Sequence, residues 1–221
     1  MRVVIAGGHG LIGLRLARLL CERGDEVCGI VRNSAHRDDL SAVGASSEVC
    51  DLEEAGADEV AAILTGADAA VFAAGAGPGS GAARKETVDR DASVLLADAA
   101  ERAGVRRLVQ ISAMALDRAD DPAVGEVFAA YLRAKAAAEQ DLRARDLDWT
   151  ILRPGRLDDA QGTGRVWLAE QVDRGEVSRD DVADVLRALL DAPETARMTL
   201  ELIGGETPVA EAVRAVARSR R

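Results

Sequence analysis

Residues 7–13 constrain the fold more than any other stretch of this chain. They read Gly7-Gly8-His9-Gly10-Leu11-Ile12-Gly13, a G-x-x-G-x-x-G pattern. Before it lies a short apolar run, Val3 to Ala6. After it, Leu11 to Arg23 carries apolar residues at 12, 16, 19 and 20 and stops at Gly24, which is a helical stripe with a glycine terminator. Strand, glycine loop and helix in immediate succession bring a helix N-terminus to the end of a buried strand. The glycines let the backbone turn tightly and approach a pyrophosphate, and the third allows close helix-to-strand packing. The alternative for the same residues is a tight structural turn.

The rest of the chain repeats the alternation. Strands are expected at residues 26–31, 47–50, 69–74, 107–111 and 149–152, the last stopped by Pro154. Helices are expected at 57–64, 85–103 and 125–145, with Gly66 and Gly104 as stops. This predicts an α/β fold, a doubly wound parallel sheet with helices on both faces and right-handed crossovers. From 156 to 177 the sequence is irregular. Ser178-Arg179-Asp180-Asp181 then resembles a capping box before a helix at 182–190, with a last strand at 199–203 and a last helix at 208–218. The reading is one domain, 1–221, with a small substrate-side lobe from 156–177 and 204–221.

Composition removes several function classes. The chain has 221 residues, 28 Lys plus Arg and 38 Asp plus Glu, a net charge of −10. So acidic a surface argues against non-specific nucleic-acid or anionic-membrane binding, since both need a positive field. No apolar run is long enough to span a bilayer, and residues 1–6 are too short for a signal core, so a cytoplasmic protein is expected. Cys21, Cys28 and Cys50 form no C-x-x-C pair and are read as free thiols; His9 and His36 form no ligand cluster, so no metal is expected.

Binders of NAD commonly place Asp or Glu after the second strand to bond the ribose hydroxyls. Here that position reads Val31-Arg32-Asn33. An arginine fork suits a 2′-phosphate, so NADP(H) is expected over NAD(H); an exposed surface arginine is the alternative. Arg15 is either an assistant or a solvated helix residue. Asp51-Leu52 after the third strand could flank an adenine, and Ala73-Ala74-Gly75 could let a cofactor cross the sheet edge; a cap at Asp51 and a turn at Gly75 stand equally open.

Tyr131 and Lys135 are the sole tyrosine and one of two lysines, spaced i, i+4 on one helix face. An ammonium beside a phenol lowers the phenol's pKa, which would let Tyr131 exchange a proton with a carbonyl or alcohol oxygen. Ser112, just past the fifth strand, could hydrogen-bond the same oxygen. A packed core tyrosine and a strand-end serine are the alternatives.

Together with Gly104-Val105, the segment Asp148-Trp149-Thr150-Ile151-Leu152-Arg153-Pro154-Gly155 and the Ser178–Ala183 stretch, these residues resemble the short-chain dehydrogenase/reductase superfamily. The closer similarity is to its small atypical NAD(P)H-binding, NmrA-like members and their biliverdin/flavin reductase relatives, over nearly the whole chain. The resemblance implies a Rossmann fold and a nicotinamide cofactor bordered by Pro154 and Gly155. It also implies a catalytic Tyr131, Lys135 and Ser112, with Lys135 reaching the ribose, and a chain that could pair as a homodimer. The chain departs from the usual catalytic tetrad in its asparagine, since Asn33, the sole one, is in the wrong place. The expected function is an NADPH-dependent reductase of a small carbonyl, quinone or flavin. A non-catalytic redox sensor and an epimerase or dehydratase are the alternatives.

Overall fold

The computed structural model describes residues 1–77 and 79–219. Its order is β1 (Arg2–Ala6), α1 (Leu11–Glu22), β2 (Glu26–Val31), α2 (Arg37–Ala42), β3 (Ser46–Val49), α3 (Ala57–Leu64), β4 (Ala69–Phe72) and α4 (Ala82–Arg84). A π-helical turn, Lys85–Asp91, runs from α4 into α5 (Ala92–Ala103), followed by β5 (Arg107–Ile111), α6 (Glu126–Arg143) and β6 (Asp148–Pro154). The chain closes with β7 (Arg156–Asp158), β8 (Arg165–Ala169), β9 (Glu176–Ser178), α7 (Arg179–Leu190), β10 (Met198–Gly204), β11 (Thr207–Pro208) and α8 (Val209–Arg218).

The main sheet has the order β11-β8-β10-β6-β5-β4-β1-β2-β3. From β3 to β10 every pairing is parallel. This is the expected doubly wound sheet, and strand order reverses between β1 and β4, where a crevice opens at the carboxyl ends. Val3, Val4, Ile5 and Ala6 are wholly buried because helices cover both faces. One core packs α1, α7 and α8 on one face; the other packs α3, α5 and the end of α6 on the opposite face.

Two corrections concern the C-terminal part. Residues 156–177 are not irregular: β8 joins the main sheet antiparallel to β10, while β7 and β9 form a separate parallel pair. β7 and β9 carry one apolar residue each and β8 a single run of four, 166–169, too little for a periodicity signal. The substrate-side lobe is also smaller than expected. Arg156, Leu157, Arg174 and Gly175 line the main cavity, but α8 packs on α7 and β8, and none of the described residues of 204–219 reaches that cavity. Arg220 and Arg221 lie outside the described residues.

The expected cap at Ser178 forms. Its Oγ accepts from the Asp181 amide at 3.0 Å and donates to Asp181 Oδ2 at 2.9 Å, while Asp181 also accepts from the Thr163 and Gly164 amides. One short motif thus starts α7 and fixes the loop before β8.

Candidate active site

The glycine loop sits at the switch point. Gly7 has φ +83, and a Cβ there would stand 2.7 Å from the Cα of Ala74; a Cβ on Gly8 would stand 2.6 Å from the Cα of Gly29. These glycines are required by close backbone crossings inside the fold, before any ligand is considered. The ladder of α1 begins with the Leu14 amide donating to Gly10 O at 2.9 Å. The amides of Leu11, Ile12 and Gly13 are therefore left over at a helix N-terminus, which suits a pyrophosphate. Leu11 is exposed, and Ile12 turns into the cavity. His9 stacks on His36 with ring centroids 3.7 Å apart and meets Asp39 at 2.7 Å.

The residues beyond β2 and β3 form a polar cluster. Arg32, just after β2, bonds Glu53 at 3.1 Å. Glu53 also accepts from Arg84 at 2.5 Å and from Thr87 at 2.6 Å, and Arg84 and then Thr87 hold its carboxyl below the usual range. Arg32 is exposed, and it is half of an arginine pair held on one carboxylate. Asn33 caps a 3-10 turn by accepting from the Ala35 amide, and Asp51 caps its own turn by accepting from the Glu53 amide. The Asp51 bond is a turn cap, and it uses one carboxylate oxygen, Oδ1. Leu52 packs against the second core, and Arg15 is taken by Asp180 at 2.7 Å, away from the crevice.

A cavity of about 820 Å³ opens beside the crevice. Ala73, Ala74 and Gly75 from the end of β4, Ser112 from the end of β5, Tyr131 and Lys135 from α6, and Pro154 and Gly155 from the end of β6 all line it. Strand ends and one helix face, far apart in sequence, converge because parallel strands end together on one edge.

The relation between Tyr131 and Lys135 differs from expectation. Lys135 is 3% exposed and its Nζ lies 5.9 Å from the Tyr131 ring centroid. The ammonium instead meets Asp89 Oδ1 at 3.4 Å and donates to Ile111 O at 3.2 Å, above the Phe72 ring. Burial pushes the Tyr131 phenol above its ordinary value, and the Asp89 charge adds to this. Burial lowers Lys135, and Asp89 opposes that shift. The expected lowering of the Tyr131 pKa by Lys135 thus meets two opposing influences: the Lys135 ammonium is paired with Asp89, and burial with the Asp89 charge shifts Tyr131 upward.

Asp89 was not found from the sequence. It is 1% exposed, also accepts from the Ala76 amide at 3.3 Å, and lies in the π-helical turn. With Ser93 it sits i, i+4 beside the apolar stripe Val88, Ala92 and Leu96, and a carboxylate there was the available signal. Lys85, also unanticipated, donates to Gly77 O at 2.9 Å and lies 5.4 Å from the Tyr131 ring centroid. Ser112 Oγ is buried without a hydrogen-bond partner among the described residues, although its amide donates to Leu152 O at 2.7 Å. A buried unpaired hydroxyl facing a cavity is what a ligand oxygen would satisfy.

The family model described as NAD(P)H-binding matches residues 7–193. The chain belongs to this NAD(P)H-binding family. It is 36% identical to the "Uncharacterized sugar epimerase YhfK" of Bacillus subtilis, over 97% of this chain and 99% of that protein. Among solved structures, the "Putative NAD-dependent epimerase/dehydratase" from Bacillus halodurans superposes with a TM-score of 0.90 at 32% identity, covering 97% of this chain and 99% of that one. The anaerobillin reductase ChuY of Escherichia coli O157:H7 superposes at 0.75 with 27% identity, covering 92% and 97%. These neighbours place this NAD(P)H-binding chain among atypical short-chain dehydrogenase/reductase proteins with a nicotinamide cofactor. The leftover amides of α1 fit the phosphates of such a dinucleotide, and the buried Ser112 hydroxyl, with no partner among the described residues, fits a ligand oxygen.

Proposed function

We propose that this protein is an NADP(H)-dependent reductase of a small carbonyl compound. The observation that carries the reading is the convergence of the Tyr131 phenol, the Ser112 hydroxyl with no partner among the described residues, and a buried Lys135–Asp89 pair on one cavity at the switch point.

Bound NADPH supplies a hydride to the carbonyl carbon. The protein's part is to hold the oxygen and deliver a proton to it. Ser112 donates a hydrogen bond to the carbonyl oxygen, using the hydroxyl that has no other partner. Tyr131 gives its phenolic proton to that oxygen; burial and Asp89 raise its pKa and so oppose that transfer, which leaves the developing phenolate in need of a nearby cation. Lys85, over the ring, offsets charge as the phenolate develops. Lys135, fixed by Asp89 and Ile111 O, offers its remaining donor capacity to the cofactor's ribose.

The preference for NADP(H) rests on Arg32 and Arg84. Both guanidinium groups already converge on one carboxylate, Glu53, and a 2′-phosphate is a stronger bidentate acceptor for the same pair.

Fluorescence titration with NADPH and NADH, followed by NADPH oxidation across an aldehyde and ketone panel, tests both parts. Tighter NADPH binding and turnover that is lost in Tyr131→Phe are expected. Clear cofactor binding with no oxidation across carbonyls, quinones and flavins would replace this reading with that of a redox sensor. A tightly retained, oxidised nucleotide would favour an epimerase.

A further inference from the structure

The charge of the cavity does not match the charge of the chain. The protein carries a net −10, yet its cavity is lined by Lys85, Lys135, Arg118, Arg156 and Arg174 against a single carboxylate, Asp89, among the described residues. Asp89 is already answered by Lys135. The three arginines come from separate elements: the 3-10 turn after β5 (Leu116–Asp120), β7, and the loop leading into β9. Pairing of β7 with β9 sets Arg156 against Glu176 and so brings the segment carrying Arg174 beside it.

These guanidinium groups have donors to spare. Arg118 uses Nε and Nη2 on Asp121, and Arg156 uses Nε and Nη2 on Glu176, which leaves each Nη1 without a partner among the described residues. Arg174 makes no hydrogen bond among the described residues, although its charge, with that of Arg118, helps hold the Asp121 carboxyl below its ordinary value. Neither Asp121 nor Glu176 lines the cavity. The cofactor's phosphates do not account for this cluster, because from the whole glycine loop only Ile12 reaches the cavity.

The remaining wall is apolar. Phe128 is 51% exposed and Val127 46% exposed, and the Phe128 ring lies 5.7 Å from that of Tyr131 at an interplanar angle of 25°. Large exposed side chains beside a proton donor, continued by Met114 and Leu157, form a platform for a flat apolar body. Among the described residues the lining's carboxylate acceptor is Asp89, already engaged by Lys135, so its polar groups are mainly cationic donors.

The geometry points to a substrate with an apolar, preferably aromatic body and a carboxylate, the body lying on Phe128 and Val127 and the carboxylate reaching Arg118, Arg156 and Arg174. This rests on the reductase reading and names the class of carbonyl compound it reduces. Each guanidinium presents a donor to a carboxylate oxygen, and the low-dielectric apolar wall strengthens that contact.

Binding of 2-naphthoate and of its methyl ester to the NADP⁺-loaded protein, measured by calorimetry, tests the inference without turnover. The carboxylate should bind at least tenfold more tightly than the ester, and its affinity should fall as salt rises. Arg174→Gln, at an exposed position, should weaken 2-naphthoate severalfold and leave the ester unchanged; Arg118→Gln provides the same comparison from another element. Equal or tighter binding of the ester, no binding of either compound, or arginine variants with unchanged carboxylate affinity would overturn the inference. Failure of the reductase reading shows separately, as carboxylate selectivity without NADPH oxidation of 6-formyl-2-naphthoate.

Discussion

The two ends of the crevice are built by different means. The end at β1, β2 and α1 is made of backbone: glycines where an added Cβ would come within 3 Å of another backbone segment, and helix amides that no carbonyl claims among the described residues. The end at β5, α6 and the β7–β9 pair is made of side chains: Tyr131, Ser112, Lys135 with Asp89, and three arginines. A backbone site tolerates almost no added atom but asks little of side-chain identity. A side-chain site tolerates shape changes at its rim and almost none in the groups that move protons or hold charge. Substitutions at the two ends should therefore fail in different ways.

The largest expected effect is at the side-chain end. Tyr131→Phe should lower kcat/KM for carbonyl reduction by about 10²–10⁴-fold with the NADPH Kd unchanged, measured by steady-state kinetics and fluorescence titration. Full activity in this variant would break the contrast. At the backbone end, Gly8→Ala would place a Cβ 2.6 Å from Gly29 Cα. It should cost about 1–3 kcal/mol of stability in thermal or urea unfolding and weaken NADPH binding together with it. A stable Gly8→Ala protein with normal NADPH affinity would show that the crossing has slack.

A smaller effect is expected between the two ends, where Glu53 holds Arg32 and Arg84. Glu53→Gln should tighten NADPH severalfold and leave NADH unchanged, since it removes the carboxylate that competes with a phosphate. Weaker binding of both nucleotides would mean that Glu53 mainly positions the loop.

The smallest effect is a titration. Tyr131 is the sole tyrosine, so phenolate absorbance reports it alone. Burial and Asp89 raise its folded pKa above the unfolded value near 10. Its contribution to stability is then fully present below that value and lost as pH rises above it, because the unfolded chain releases the proton first. Phenolate should appear only with alkaline unfolding, and Tyr131→Phe should resist high pH better than the parent. Asp89→Asn, which removes the nearby charge, should bring phenolate formation to lower pH; no change would place the cause in burial alone.

This contrast also governs how far the sequence could be read. The backbone end was legible because glycine spacing, a preceding apolar run and a following helical period are all local. The expected ranges of β2, α3 and β5 match those observed, for the same reason. At the other end, Tyr131, Lys135 and Ser112 were legible as types and spacings, but their relation was not. The i, i+4 spacing put Tyr131 and Lys135 on one helix face. Which of them met a charge was decided by Asp89, on another helix more than 40 positions earlier. Likewise, Arg118, Arg156 and Arg174 are unremarkable in an arginine-rich chain until the β7–β9 pairing gathers two of their segments, and strands of three residues carry no periodicity to announce it.

The π-helical turn at Lys85–Asp91 adds a consequence of its own. Such a turn holds one residue more than the helix around it needs, so it sets the angular phase between α4 and α5. Removing a single residue there would let the helix run regularly while rotating everything on one side of the cut by about 100°. Asp89 would then leave Lys135 and the Ala76 amide, although every side chain of the site would still be encoded. The chemistry of this crevice thus depends on a count of residues as much as on their identity, and a shortened sequence could fold more regularly and still lose its proton donor's setting.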